Sequence, residues 1–367
     1  MAPMNRRNFL SATAIGAALG VARSSAAATN SDYQPKKAVM KLGCQSLPTS
    51  EKRLQFFKRH SVNNICCEPG DCPDGYPTVE ELSKIKERAE KYGVTIDCYT
   101  PPFLESSHID REARPAIMLG QSPERDRDIE RVHKWIQNCA KVGIPAIKYN
   151  MSLLGVVRLE TRDAGRGKTT LSTWRFKDAK PKTPLTKAGV VTADRYWERI
   201  TYFLDKVIPV ANEYKVRMAC HPHDPGMPPE GYQGIDAVLG TVDGLKKFIS
   251  IQESPYHGLN FCQGTVSEML ADPDKEIGDV IRYFGSRKKI FNVHFRNIRG
   301  HRNDFVETYP DEGSVNFVKA MMVYKEVGYP YMMMPDHVPY HADDPDGDQA
   351  FAFAYGYIRA LIQVAQA

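Results

Sequence analysis

Short apolar runs rich in β-branched, sulfur-containing and aromatic residues alternate along this chain with longer stretches whose apolar positions recur every three or four residues. Eight such runs stand out, at Lys41–Gln45, Asn64–Glu68, Thr95–Thr100, Ala146–Asn150, Arg217–Pro222, Leu259–Gly264, Phe291–Asn297 and Met332–His337, and each is followed by a helical pattern. Thr78-Val79-Glu80-Glu81 reads as a capping box, Leu82, Ile85 and Ala89 continue it as one apolar stripe, and Gly93 stands where a left-handed residue ends a helix. A second helix is predicted from about Ala193 to Tyr214, with Trp197, Ile200, Leu204, Val207 and Ala211 on its buried face. Pro209 within it lacks an amide hydrogen and is expected to kink or break it.

Strands that alternate with helices pair in parallel, and eight strand–helix units predict an α/β fold, a (β/α)8 TIM barrel, as a single domain over residues 37–367. Such a barrel typically uses about 250 residues, so long βα loops are expected. Pro101–Pro123 and Met151–Thr192 lack apolar periodicity and follow strands at the end where barrel side chains converge. Each is a candidate lid or substrate-binding insertion, with a disordered surface loop as the alternative.

The first residues do not share this pattern. Arg6-Arg7-Asn8-Phe9-Leu10 precedes the weakly apolar Ser11 to Ala22, and Ser25-Ala26-Ala27-Ala28 supplies small residues for cleavage. Residues 1–28 are therefore read as a cleavable signal of the twin-arginine type, which implies the twin-arginine export machinery as a partner and a periplasmic or otherwise exported location. No later stretch approaches the length of a membrane helix. Without Arg6, Arg7 and Arg23 the formal charge of +5 falls to +2, 46 basic residues against 44 acidic ones. With no basic run interleaved with aromatics, the composition argues against nucleic-acid binding and for a small-molecule substrate. Homo-oligomerisation is left open.

Eight cysteines in an exported chain suggest a disulfide framework, yet Cys44, Cys66, Cys67, Cys98, Cys220 and Cys262 lie in or beside apolar runs, as small buried hydrophobes do. Few disulfides or none are expected. Cys72, in the loop Gly70 to Pro77, is the candidate exception, with the vicinal Cys66 or Cys67 as its partner.

Four of the later runs end on residues that bind metals: His221, Cys262, His294 and Asp336. Each alone is commonly a packed core residue. At the ends of four consecutive barrel strands, however, they face one mouth and can meet at one ion. Two imidazoles, a thiolate and a carboxylate suit Mn2+, Fe2+ or Zn2+ better than Ca2+ or Mg2+. His337, next to Asp336, is a candidate general acid or base with an ordinary pKa near neutrality, or a hydrogen-bonding support for Asp336. Arg296 and Asn297 are candidates to bind a substrate carboxylate and hydroxyl. Glu68 is a candidate for the mouth or for a salt bridge.

The segments YWERITYFLDKVIPVANEYKVRMACHPHDP, SPYHGLNFCQGT, IRYFGSRKKIFNVHFRN and GYPYMMMPDH, in that order, resemble the mannonate dehydratase family within the xylose-isomerase-like TIM-barrel superfamily. The resemblance implies a divalent metal, Mn2+ or Fe2+, held by His221, Cys262, His294 and Asp336. It also implies dehydration of a mannonate-like sugar acid to a 2-keto-3-deoxy-aldonate. Tyr149 and Asn150 match a family pair that contacts sugar hydroxyls, and a tyrosine expected in the last helix falls on Tyr355 or Tyr357, with Tyr355 taken as catalytic. Where the family commonly has His-Pro-Asp-Asp-Pro this chain has His221-Pro222-His223-Asp224-Pro225, which makes His223 a candidate substrate contact. Val338 replaces the usual glycine after the Asp-His pair, and the expected Arg-Thr-Asp-Leu is not recognisable in Leu153 to Arg166. A metal-dependent sugar isomerase or epimerase of the same superfamily is the alternative, and a non-catalytic carbohydrate-binding protein the third reading.

Overall fold

In the computed structural model, residues 38–45, 49–180 and 183–367 are described, so the signal-type segment 1–28 lies outside the described residues. Eight strands, β1 Lys41–Gln45, β2 Asn64–Cys67, β3 Thr95–Tyr99, β4 Ala146–Asn150, β5 Arg217–His221, β6 His257–Cys262, β7 Ile290–His294 and β8 Met332–Met334, close into a parallel barrel in sequence order, β8 lying beside β1. The α/β barrel expected from the periodicity is therefore the observed fold.

Local signals explain the helices that surround it. Val79–Lys91 starts at Thr78, whose hydroxyl accepts from the Glu81 amide, and Gly93 follows it at φ +64°. Ala193–Tyr214 runs through Pro209 as one helix rather than breaking there. Buried Tyr196, Ile200 and Leu204 before the proline, and Ala211 after it, hold both halves on the barrel and outweigh one missing hydrogen bond.

Barrel register sets the height of the site. Asn150 on β4 is level with His221 on β5, and Cys262, His294 and Met334 are level across β6, β7 and β8. Side chains alternate along a strand. On β4, Lys148 and Asn150 face the cavity at the barrel mouth, while Tyr149 between them points outward to stack near Phe203 of the surrounding helix.

In the long stretch 151–192, the described residues 151–180 include short strands that pair with other elements, contrary to the expectation of a loose loop. Its strand Thr173–Arg175 pairs antiparallel with Asp304–Thr308, which forms a hairpin with Asn297–His301. The hairpin was not expected, because the apolar run after Ile290 reads as one strand through Asn297. The chain instead leaves the barrel at His294 and enters the antiparallel sheet at Asn297. Trp174, Ile298 and Phe305 bury against Met227 and Ala237 in a small separate core, fixing this sheet beside the mouth.

All eight cysteines are free. The candidate Cys72 disulfide is not formed: its sulfur lies 3.2 Å from the Pro69 carbonyl, while Cys66 faces the barrel interior and Cys67 packs into the main core. Among the described residues no helix is long and apolar enough to cross a membrane.

Candidate metal centre

The C-terminal ends of β5, β6 and β7 and the turn after β8 bring His221, Cys262, His294 and Asp336 together, with one ligand atom from each lying within 4.8 Å of the others. For bonds of 2.0–2.3 Å a tetrahedral ion separates its ligand atoms by roughly 3.3–3.8 Å, so a small tightening closes the set around a cation. Individual contacts already fall near that spacing. His294 Nδ1 is 3.2 Å from Asp336 Oδ1, and Cys262 Sγ is 3.6 Å from Asp336 Oδ2.

The donor chemistry fits a metal. His221 Nδ1 lies 2.7 Å from the Pro222 carbonyl, which can only accept, so the proton sits on Nδ1 and the lone pair is on Nε2. Burial lowers the His221 pKa and keeps the imidazole neutral, the form that ligates. His294 Nδ1 is buried with no aligned hydrogen-bond partner among the described residues, and the Asn260 amide lies 3.3 Å from the ring's other nitrogen. The Nδ1 atom faces Asp336 Oδ1 at 3.2 Å, a spacing at which one cation can serve both atoms. Cys262 Sγ accepts from the Thr265 amide, the Thr265 hydroxyl and Arg296, three donors that fix the position of the sulfur.

Beneath these residues lies a buried ionic floor. The Arg296 side chain is fully buried and pairs with Asp224 at 3.0 Å, Glu268 at 2.9 Å, Glu307 at 3.1 Å and Asp336 at 3.2 Å. Arg158, delivered by the long 151–192 segment, pairs with Asp224 at 2.6 Å and with Glu268 and Glu307. Burial and the neighbouring Asp224 push the Glu268 carboxyl up to about 8, so it is protonated at neutral pH. Burial also disfavours the Glu307 and Asp336 carboxylates, but the cations around them outweigh it and hold both well below the usual range.

His337 lines the cavity and its Nδ1 donates to Glu307 at 2.9 Å. Its pKa is not the near-neutral value expected from sequence. Burial opposes the charged ring, yet Asp336 and Glu307 outweigh it and hold the pKa up at about 9.

The cavity encloses about 140 Å3, between His221, His294 and Asp336 and a wall made by Gln45, Ser106, Lys148, Asn150 and Ser152. Asn150 therefore faces it as expected. Six other sequence candidates do not. Arg296 is consumed by its carboxylates and offers nothing to a substrate. Asn297 donates to the Pro310 and Val315 carbonyls and fastens the hairpin. Tyr149 points to the helical layer because its neighbours in the strand point inward. His223 is buried beside Tyr196, 2.8 Å from the Met151 carbonyl, and burial lowers its pKa to about 4. Glu68 accepts from the Thr49 amide and lies 3.9 Å from Arg88, the salt bridge foreseen as its alternative. Tyr355 is fully buried behind β1, its hydroxyl 2.8 Å from Cys44 Sγ.

Lys148, Arg158, Glu268 and Glu307 are the site groups that sequence reasoning missed. A lysine in the middle of an otherwise apolar strand was the available signal for Lys148. The other three carry no local mark.

Comparison with known proteins accords with this geometry. The family model described as D-mannonate dehydratase (UxuA) matches residues 168–366. Mannonate dehydratase from Shouchella clausii (strain KSM-K16) is 30% identical over 292 residues, 71% of this chain and 76% of the relative. The crystal structure of mannonate dehydratase from Streptococcus suis serotype2 superposes with a TM-score of 0.76 at 20% identity, covering 89% of this chain and 94% of that one. IOLI protein, solved with a binding zinc atom, shares the fold at a TM-score of 0.55 and 11% identity over 89% of this chain and 99% of that chain. The matched half contains Cys262, His294 and Asp336 on the barrel ends described above, and with this extent of likeness to both family and relative the chain belongs to the mannonate dehydratase family.

Proposed function

We propose that this chain is a metal-dependent hydro-lyase that dehydrates a sugar acid, D-mannonate or a close aldonate, to the 2-keto-3-deoxy acid. The observation that carries this reading is the convergence of His221, Cys262, His294 and Asp336 on one point, beside a small polar cavity that His221, His294, Asp336 and His337 line. Family membership supports the lyase, whereas IOLI protein shares only the fold, so the isomerase or epimerase alternative is not favoured.

His221, Cys262, His294 and Asp336 would hold the cation. Their mixed nitrogen, sulfur and oxygen set supports Mn2+ or Fe2+, with Zn2+ also compatible. A divalent ion there supplies Lewis acidity, easing ionisation of the C2–H bond next to the carboxylate. The remaining chemistry belongs to side chains. A cation held by Asp336 would offset part of the negative charge that keeps the His337 proton in place, leaving Glu307 as its hydrogen-bond partner. A neutral His337 can take the C2 proton and return it to the C3 hydroxyl, which leaves as water, and the enol formed becomes the 2-keto acid. Glu307 keeps the ring oriented through both transfers. Asn150, Ser106 and Ser152 offer polar partners to the polyol chain. The Arg6-Arg7 segment supports export in folded form and a periplasmic site of action.

Metal-reconstituted protein incubated with D-mannonate should yield a 2-keto-3-deoxy acid. Cys262→Ser and Asp336→Asn should each lose bound metal by elemental analysis and lower turnover by about 10^3-fold or more, the scale on which a preorganised electrostatic group acts. Full metal occupancy with no turnover of mannonate or related aldonates would overturn the assignment.

A further inference from the structure

Among the described residues the fully buried cations are paired with carboxylates, with one exception at the mouth. The Lys148 residue is 7% exposed, and its ammonium is hydrogen-bonded to the neutral Oε1 of Gln45. Among the described residues it forms no ion pair, whereas Arg296 and Arg158 in the same site contact four and three carboxylates. Glu105 feels its field and is half-buried, but stands beyond ion-pair distance. An ammonium withdrawn from water without an anion is costly, and such a residue is retained where a ligand supplies the missing charge.

Its place in the ring adds direction. Lys148 lies on β4, four strands round the closed barrel from β8, so it faces His337 across the cavity that both line. His221, His294 and Asp336 line that same cavity, so the ammonium and three candidate metal ligands share one space. The neighbouring wall from Asn150, Ser106 and Ser152 is neutral and suited to hydroxyls. The other cations of the site, Arg158, Arg296 and His337, are already committed to carboxylates.

We infer that Lys148, positioned by Gln45, is the anchor for the substrate carboxylate and the residue that selects a sugar acid over a neutral sugar. This rests on the proposed dehydration of an aldonate. The anchor fixes the acid end on the β4 side and so determines which carbons are presented to His337.

The test compares D-mannonate with the neutral D-mannitol on metal-loaded protein, by titration calorimetry and steady-state kinetics. Lys148→Met should weaken mannonate binding and raise its KM by about 10- to 100-fold, the range of one charge-assisted hydrogen bond. Metal content and mannitol affinity should stay as in the wild type. Lys148→Gln, which keeps a polar head beside Gln45 and serves if the methionine variant fails to fold, should show the same loss, and Lys148→Arg should recover part of it. Wild-type affinity for mannonate in both neutral variants, or equal affinity of the wild type for mannonate and mannitol, overturns the inference. Turnover persisting with unchanged KM in the variants removes the anchor and leaves the dehydratase standing. Mannonate binding that depends on Lys148 without any turnover does the reverse.

Discussion

Two cations flank the same cavity and have opposite roles. Arg296 sits under the β6–β8 side with four carboxylates around it, while Lys148 sits in the β4 wall with one neutral amide. Arginine's five donors in a fixed fork suit a multiply paired internal position, and lysine's single mobile ammonium suits a ligand that comes and goes. The contrast teaches that charge near a site does not by itself mark a substrate contact. What marks it is the absence of an anionic protein partner combined with an open path to the cavity.

The strongest way to break this comparison is to remove each charge in turn. Arg296→Met strands Asp224, Glu268, Glu307 and Asp336 around an apolar side chain, and should destabilise the fold by about 3–5 kcal/mol, as breaking a buried ion pair does. Lys148→Met removes an unpaired ammonium and should change stability by less than about 1 kcal/mol. Urea unfolding of the metal-loaded proteins measures both. A stable Arg296→Met protein whose only defect is a raised KM would restore Arg296 as the carboxylate site and exchange the two roles.

A finer test lies inside the ionic floor. Four carboxyl groups, Asp224, Glu268, Glu307 and Asp336, face three cations, Arg158, Arg296 and His337, and the protonated Glu268 balances them. Its pKa is about 8 in the fold against an ordinary 4.5, so between those values the native protein holds a proton that the unfolded chain has released. Stability from this group is intact below the unfolded value and falls as pH rises, by up to ~1.4 kcal/mol per pH unit, until the folded value is passed. Glu268→Gln cannot lose that proton. Its stability relative to wild type should therefore climb from pH 5 to pH 8, whereas Glu307→Gln, which neutralises an ionised partner, should be destabilised throughout. Parallel pH profiles for wild type and Glu268→Gln would show that the proton resides elsewhere.

The same contrast explains what could be read from sequence. The barrel was legible because each strand is a short apolar run with a helix after it, and the candidate ligands because each ends or closely follows such a run. Side-chain direction was less legible. In Ala146–Asn150 every position is buried, so no polar–apolar alternation shows that Lys148 and Asn150 face inward and Tyr149 outward. Arg158 and Glu307 were hidden for another reason. They meet across 149 positions of chain, through an insertion and a hairpin whose pairing has no local periodic sign. Arg296 was placed correctly near the mouth, and only the three-dimensional position of its carboxylates shows that it is already occupied.

Tyr355 gives the smallest and most discriminating test, because it meets the outward face of β1, whose inward-facing Gln45 holds Lys148. It is carried by the helix Asp348–Gln366, its ring lies near Phe56, Phe57 and Phe351, and its hydroxyl meets Cys44, which faces away from the cavity on β1. Burial pushes the Cys44 thiol up to about 12 and the phenol well above its usual range, so neither is poised to exchange a proton near neutral pH. Tyr355→Phe removes one buried hydrogen bond and leaves the Cys44 thiol 3.2 Å from the Gln45 carbonyl, so it should cost about 1 kcal/mol of stability. Steady-state kcat and KM for mannonate should stay within about twofold of wild type, since the hydroxyl has no route to the mouth through β1. A large fall in kcat with stability unchanged would mean that the phenol reaches the substrate, and the division between inward and outward side chains that singles out Lys148 would then fail with it.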